Sequence, residues 1–134
     1  MFFPKKTKFK KVKKGRLPQT TSSLTRLTYG GCGLKSLESC RVTGSQLEAV
    51  RQNINRKIKR RGKIWIHVFP DTPLTSKPSE VRMGKGKGSV TQWVAKVPAG
   101  KLLFEVLGPN SQFLAKVLHS AANKLPIKTG IVQR

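Results

Sequence analysis

Between Pro78 and Trp93 the chain runs Val81-Arg82-Met83-Gly84-Lys85-Gly86-Lys87-Gly88-Ser89, a glycine loop carrying three positive charges at Arg82, Lys85 and Lys87. Three glycines in five positions let the backbone take positive φ and come close to another surface, while the lysines supply point charges for an anion. Phosphate is the surface such a loop suits. A nucleotide-binding loop of the Walker type needs four residues between its first Gly and a Gly-Lys-Ser/Thr. Neither this run nor Gly31-Cys32-Gly33-Leu34-Lys35-Ser36 has that spacing, and the dinucleotide fingerprint fails as well.

The rest of the chain carries the same charge. In 134 residues, 28 Lys and Arg face 5 Asp and Glu, a formal net charge of +23. Self-repulsion at that level disfavours the compact state in isolation, so the protein is expected to persist best beside a polyanion. Contacts to a phosphate backbone with counterion release make nucleic acid the leading partner. No apolar run approaches the roughly 20 residues a membrane span requires, and no basic amphipathic helix with a Trp-rich face is present, so no membrane partner is expected.

Catalytic and metal chemistry find little support. Cys32 and Cys40 stand apart without the close pairing or His partners of a zinc site and read as small, buried or half-buried thiols. His67 and His119 are isolated, and the five acids are scattered. The expectation is no catalytic residue, no metal and no cofactor; an enzyme using Lys85 or Lys87 would lack a paired base.

Two further basic segments join the loop. Residues 1–16 hold eight bases (Lys5, Lys6, Lys8, Lys10, Lys11, Lys13, Lys14 and Arg16) and no acid. With Phe2, Phe3, Phe9 and Val12 as the sizeable apolar side chains besides Met1, the segment cannot offset its ordering entropy alone and is expected to order against RNA. Extended, it spans roughly 50 Å. Phe3 and Phe9 suit base stacking or a protein crevice. Lys dominates over Arg and no helical apolar stripe follows, so the segment is a poor transit peptide, and Met1 reads as the true start. The second segment ends a helix that Thr43-Gly44-Ser45-Gln46 begins with a capping box, Leu47, Val50, Ile54 and Ile58 forming its apolar face. Arg51, Arg56, Lys57, Lys59, Arg60 and Arg61 crowd the remaining surface and the C-terminal end, more charge than solubility requires.

The elements that must position these charges are legible in outline. Residues 24–29 and 34–42 are expected to form a hairpin around Gly30-Gly31-Cys32-Gly33. Residues 63–69 read as a strand, with Ile64, Ile66 and Val68 on one face and Trp65, His67 and Phe69 on the other. Pro70, Pro73 and Pro78 then break the pattern. Residues 90–97 and 102–107 read as strands joined by a Pro98-Ala99-Gly100-Lys101 hairpin turn. Asn110 caps a second helix with Phe113, Leu114, Val117, Leu118, Ala121 and Ala122 on its apolar face, Pro126 ends it, and residues 127–132 return as a strand. The fold class is α+β: one compact domain over residues 24–134 with two helices on an antiparallel or mixed sheet, a Gly/Lys loop at 82–89 and a basic N-terminal extension over residues 1–23.

Arg82-Met83-Gly84-Lys85-Gly86-Lys87-Gly88, preceded by Gly62-Lys63-Ile64-Trp65-Ile66-His67-Val68-Phe69-Pro70-Asp71 and Lys77-Pro78, resembles the bacterial and organellar large-subunit ribosomal protein sixteen family. Pro4-Lys5-Lys6-Thr7-Lys8-Phe9 with Lys14-Gly15-Arg16 looks like the family's start, and Lys124-Leu125-Pro126-Ile127-Lys128-Thr129 like its final helix-to-strand passage. Residues 17–41 and Gln52-Asn53-Ile54-Asn55 depart from the pattern.

The resemblance implies a structural protein that binds large-subunit rRNA, lies beside the aminoacyl-tRNA site among neighbouring large-subunit proteins, and helps organise the peptidyl-transferase region without being the catalyst. It also implies that residues 82–88 point toward tRNA and catalytic RNA while the basic N-terminus threads along rRNA. The alternative is a free RNA-binding or RNA-chaperone module outside the ribosome. Lys outnumbers Arg by 19 to 9, and Gly33-Leu34-Lys35-Ser36 near a cysteine resembles mitochondrial sequences. A mitochondrial ribosome is therefore expected, with a bacterial or plastid one as the alternative.

Overall fold

The computed structural model describes residues 2–17, 26–108 and 110–134. Seven strands and two helices follow in the order β1 (Cys32–Ser36), β2 (Cys40–Thr43), α1 (Gly44–Ile58), β3 (Lys63–Ile66), β4 (Thr72–Ser76), β5 (Ser89–Val97), β6 (Leu102–Leu107), α2 (Ser111–Ala122) and β7 (Thr129–Gln133). The α+β class holds, but the strands form two antiparallel sheets, ordered β3-β6-β1-β7 and β2-β5-β4. Helix α2 packs on β1 and β7, α1 on β2 and β5, and the two helices pack against each other. Leu34, Val42, Leu47, Ile54, Phe104 and Leu118 are fully buried in the core between these layers.

Both helices start where side chains satisfy their free amides. Thr43 accepts from the Gln46 amide while the Gln46 side chain accepts from the Thr43 N–H, the expected capping box. The Asn110 side chain accepts from the amides of Gln112 and Phe113. Leu47, Val50, Ile54 and Ile58 are buried as the periodicity requires. Phe113 departs from the expected apolar face of α2, with 46% of its surface exposed.

The expected hairpin of 24–29 with 34–42 does not form, and positions 24 and 25 lie outside the described residues. Instead, the run from 34 to 42 divides between sheets: β1 pairs with β6 and β7, and β2 with β5. The division falls at a pinned corner, where the Ser36 hydroxyl donates to the carbonyls of Pro98 (2.7 Å) and Lys101 (3.1 Å). That corner also corrects the expected hairpin turn at residues 98–101, because β5 and β6 belong to different sheets. Strand β3 is shorter than expected, ending at Ile66, and Phe69 is exposed. Pro73 lies inside β4 rather than breaking the chain, which is tolerable because β4 is the edge of its sheet and needs fewer backbone donors.

Candidate nucleic-acid interface

The Gly/Lys segment is the connection of a β4–β5 hairpin whose final pair is Ser76 with Ser89. Its backbone turns through three successive left-handed residues, Gly84 (φ +97°), Lys85 (φ +52°) and Gly86 (φ +89°). Left-handed backbone is costless for glycine but strained by about 1–2 kcal/mol for a lysine. No atom lies within 4 Å of where a Cβ would stand at Gly84 or Gly86, and Met83 beside them is 94% exposed. Gly88 differs: a Cβ there would collide with the Ser76 carbonyl, so this glycine closes the hairpin rather than serving its tip. Lys77 braces the loop from its base by donating to the Gly84 carbonyl.

The N-terminal segment has no helix or strand over residues 2–17 and follows the surface of the second sheet. Phe2 packs against the core beside Gly44, where an added Cβ would stand 2.7 Å from the Phe2 carbonyl. Farther along, Phe9 and Val12 share a hollow with Pro73 and Trp93, and the Arg41 guanidinium donates to the Gly15 carbonyl at 2.7 Å. Two lysines tie the segment to the Gly/Lys loop: Lys11 Nζ donates to the Lys87 carbonyl (2.9 Å) and Lys87 Nζ to the Val12 carbonyl (2.6 Å). Phe3, Phe9 and the bases from Lys5 to Arg16 remain exposed. Two of the basic groups found in the sequence are thus neighbours in space.

The third group gathers where α1 ends. Lys59 (φ +52°) and Arg60 (φ +62°) are both left-handed, turning the chain sharply toward β3. Arg56, Lys59 and Arg60 line a shallow hollow with Gln52 and Asn55. Lys57 reaches across to the Ser120 hydroxyl on α2. Arg61 joins Lys57, Lys59 and Phe113 around a second hollow. Arg51 stands apart, because its guanidinium is forked onto Glu48 (2.6 and 3.0 Å) and holds that carboxyl down to about 2. Its charge is already partnered.

Sequence reasoning passed over one acid. Glu105 is fully buried and accepts the backbone N–H groups of Thr28 (3.1 Å), Tyr29 (2.7 Å) and Gly30 (2.7 Å). Burial alone would push its carboxyl up, yet those donors and the nearby His67 hold it below the usual 4.5. His67 Nε2 lies 2.9 Å from Glu105 Oε1, ion-pair distance without the alignment of a hydrogen bond. The signal was present as a lone Glu inside the apolar strand Leu102–Leu107, where an uncompensated charge would be prohibitive.

Cys32 is buried and Cys40 half-buried, both as free thiols; burial pushes the Cys32 thiol up. Among the described residues no three His, Cys, Asp or Glu gather as metal ligands, and no helix is long and apolar enough to cross a membrane.

The description "Ribosomal protein L16p/L10e" belongs to the family model that matches residues 4–132. Relatives called large ribosomal subunit protein uL16 align along the full chain. The protein of Mesorhizobium japonicum is 49% identical over 100% of this chain and 98% of its own length. That of Caulobacter vibrioides is 48% identical over 100% and 94%, and that of Erythrobacter litoralis 51% identical over 100% and 93%. A match of this length and identity covers both sheets, both helices, the Gly/Lys hairpin and most of the basic N-terminal segment, and the chain belongs to the L16p/L10e family of ribosomal proteins, as a structural protein rather than an enzyme.

Proposed function

We propose that this protein is a structural constituent of the large ribosomal subunit, binding large-subunit rRNA through its N-terminal segment and α1 end and presenting residues 82–88 to aminoacyl-site tRNA. The tip of the β4–β5 hairpin carries this reading: an exposed, cationic, left-handed turn with open space where a Cβ would stand at Gly84 and Gly86, which contributes nothing to the core. Such a tip can lie flush against converging phosphates and neutralise them, while the sheet behind it fixes the distance between rRNA and the incoming tRNA. Lys5, Lys6, Lys8, Lys10, Lys11, Lys13, Lys14 and Arg16 would serve rRNA along the N-terminal strip. Arg56, Lys57, Lys59, Arg60 and Arg61 would do so at the helix end, with Arg51 contributing least because Glu48 holds it.

The relatives are bacterial proteins, which supports a ribosome of bacterial type. The mitochondrial reading rests on the lysine bias, on Gly33-Leu34-Lys35-Ser36 and on Gln52-Asn53-Ile54-Asn55. Cell fractionation decides it: recovery from mitochondria supports it, and recovery from plastids or a bacterial cytosol rejects it.

The loop is tested on reconstituted ribosomes. Changing Lys85 and Lys87 together to Ala, or Arg82 to Ala, should leave the melting temperature of the free protein nearly unchanged. Aminoacyl-site tRNA affinity should fall about tenfold, a charged hydrogen bond being worth ~1.5 kcal/mol or more. Gly86→Val should be worse, since a β-branched side chain is strained at positive φ. Parental tRNA binding by all three would reduce the loop to a solvated connection.

A further inference from the structure

Three aromatic rings meet at the edge of the four-stranded sheet, none of them among the basic segments above. Tyr29 stacks on Trp65 with centroids 5.7 Å apart and planes 20° apart, and on His67 at 6.4 Å and 12°. Yet Tyr29 keeps 57% of its surface exposed, and Trp65 and His67 are only partly buried. A large apolar ring left in water on a chain with few aromatics needs a reason beyond stability.

The backbone behind the ring is unusually fixed for a segment without secondary structure. Glu105 takes the amides of Thr28, Tyr29 and Gly30, the Gly31 amide donates to the Val106 carbonyl (3.2 Å), and Leu27 is buried against Gly33. Tyr29 is therefore held before any partner arrives, and docking on it loses little conformational entropy. Alternation along β3 puts the exposed Lys63 on the same side as Trp65, a cation at the platform's margin.

We infer that Tyr29, backed by Trp65 and His67, is a stacking platform for one unpaired nucleobase of ribosomal RNA. A charge of +23 selects a polyanionic partner, and a flat ring of this kind selects the part of it that phosphate contacts cannot read, the face of an unstacked base. The platform lies on the four-stranded sheet and the Gly/Lys hairpin proposed for tRNA on the other, so rRNA is the partner this reading gives it. The inference rests on the RNA-binding reading above and extends it from charge to base contact.

The test uses the full chain with a single-stranded RNA octamer and its abasic counterpart of equal phosphate number. Tyr29→Ala should weaken binding to the intact octamer about tenfold, leave the abasic octamer and the salt slope unchanged, and be rescued by Tyr29→Phe. Trp65 gives a second reading with the platform intact: in a Trp93→Phe background, its fluorescence should be quenched by the intact octamer and not by the abasic one. In assembled subunits, chemical probing should find one rRNA base that is protected by the parent and reactive with Tyr29→Ala. A parent that binds neither octamer overturns the RNA reading and the platform together. A Tyr29→Ala protein that binds the intact octamer like the parent, or Trp65 quenching that is equal for both octamers, overturns the platform alone. So does protection that appears on a tRNA base, or that depends on a neighbouring protein and not on RNA.

Discussion

Glu105→Ala should be the most damaging single change in the domain, lowering stability by about 2–4 kcal/mol. The substitution removes the acceptor of three amides and leaves a cavity in a strand where neighbouring side chains are fully buried. Water can reach part of the segment around Thr28 and Tyr29, which is why the cost stays below the sum of three fully buried donors. Glu105→Gln keeps the volume and one acceptor and should cost less. The sign of the pH dependence follows from the carboxyl being held below 4.5 in the folded protein. Its contribution is complete above the unfolded carboxylate's pKa and is lost as pH falls through the lower folded value. Chemical denaturation at pH 7 and again below pH 4 measures both: the gap between parent and Glu105→Ala should be wide at the first and narrower at the second. A gap that stays constant or widens in acid would show that the carboxylate's charge does not carry the effect.

The second large effect is on RNA. Replacing Lys5, Lys6, Lys8, Lys10, Lys13 and Lys14 by Gln should weaken rRNA binding on the order of a thousandfold at moderate salt. It should also lower the salt slope by roughly 0.7–0.9 for each phosphate that is no longer neutralised. Lys11 is spared because it also bonds the Lys87 carbonyl. Charge removal is a cleaner experiment than deletion of residues 1–16, which would strip Phe2 from the core beside Gly44 and so confound binding with folding. Filter binding across a salt series gives the slope, and a slope equal to the parent's would mean that the N-terminal bases touch no phosphate.

What the sequence disclosed follows the range of the forces involved. The capping box at Thr43 and Gln46, the Asn110 cap and the buried face Leu47, Val50, Ile54 and Ile58 depend on residues within one or two turns, and all are as read. The division of residues 34–42 between two sheets is not local. It is decided by Ser36 bonding to Pro98 and Lys101, more than sixty residues away, and by β6 offering a partner that no periodicity could reveal. Pro73 misled for a related reason: a proline forbids a central strand but not an edge, and edge status is a property of the assembled sheet.

The candidate interface divides in the same way. The basic segments and the glycine loop are visible because charge and glycine content are read residue by residue, whereas the ties between Lys11, Lys87 and Val12 that bring tail and loop together are not. Trp65 and His67 share the strand expected over residues 63–69, but Tyr29 belongs to a separate segment of the sequence. Only the amides gathered by Glu105 show why Tyr29 lies over the other two.

The most direct test of the account is sedimentation of ribosomes washed at high salt. The protein should remain with the large subunit through the wash, at about one copy per particle. Recovery at the top of the gradient, or with free RNA and not with subunits, would contradict a structural place in the ribosome and favour a free RNA-binding module.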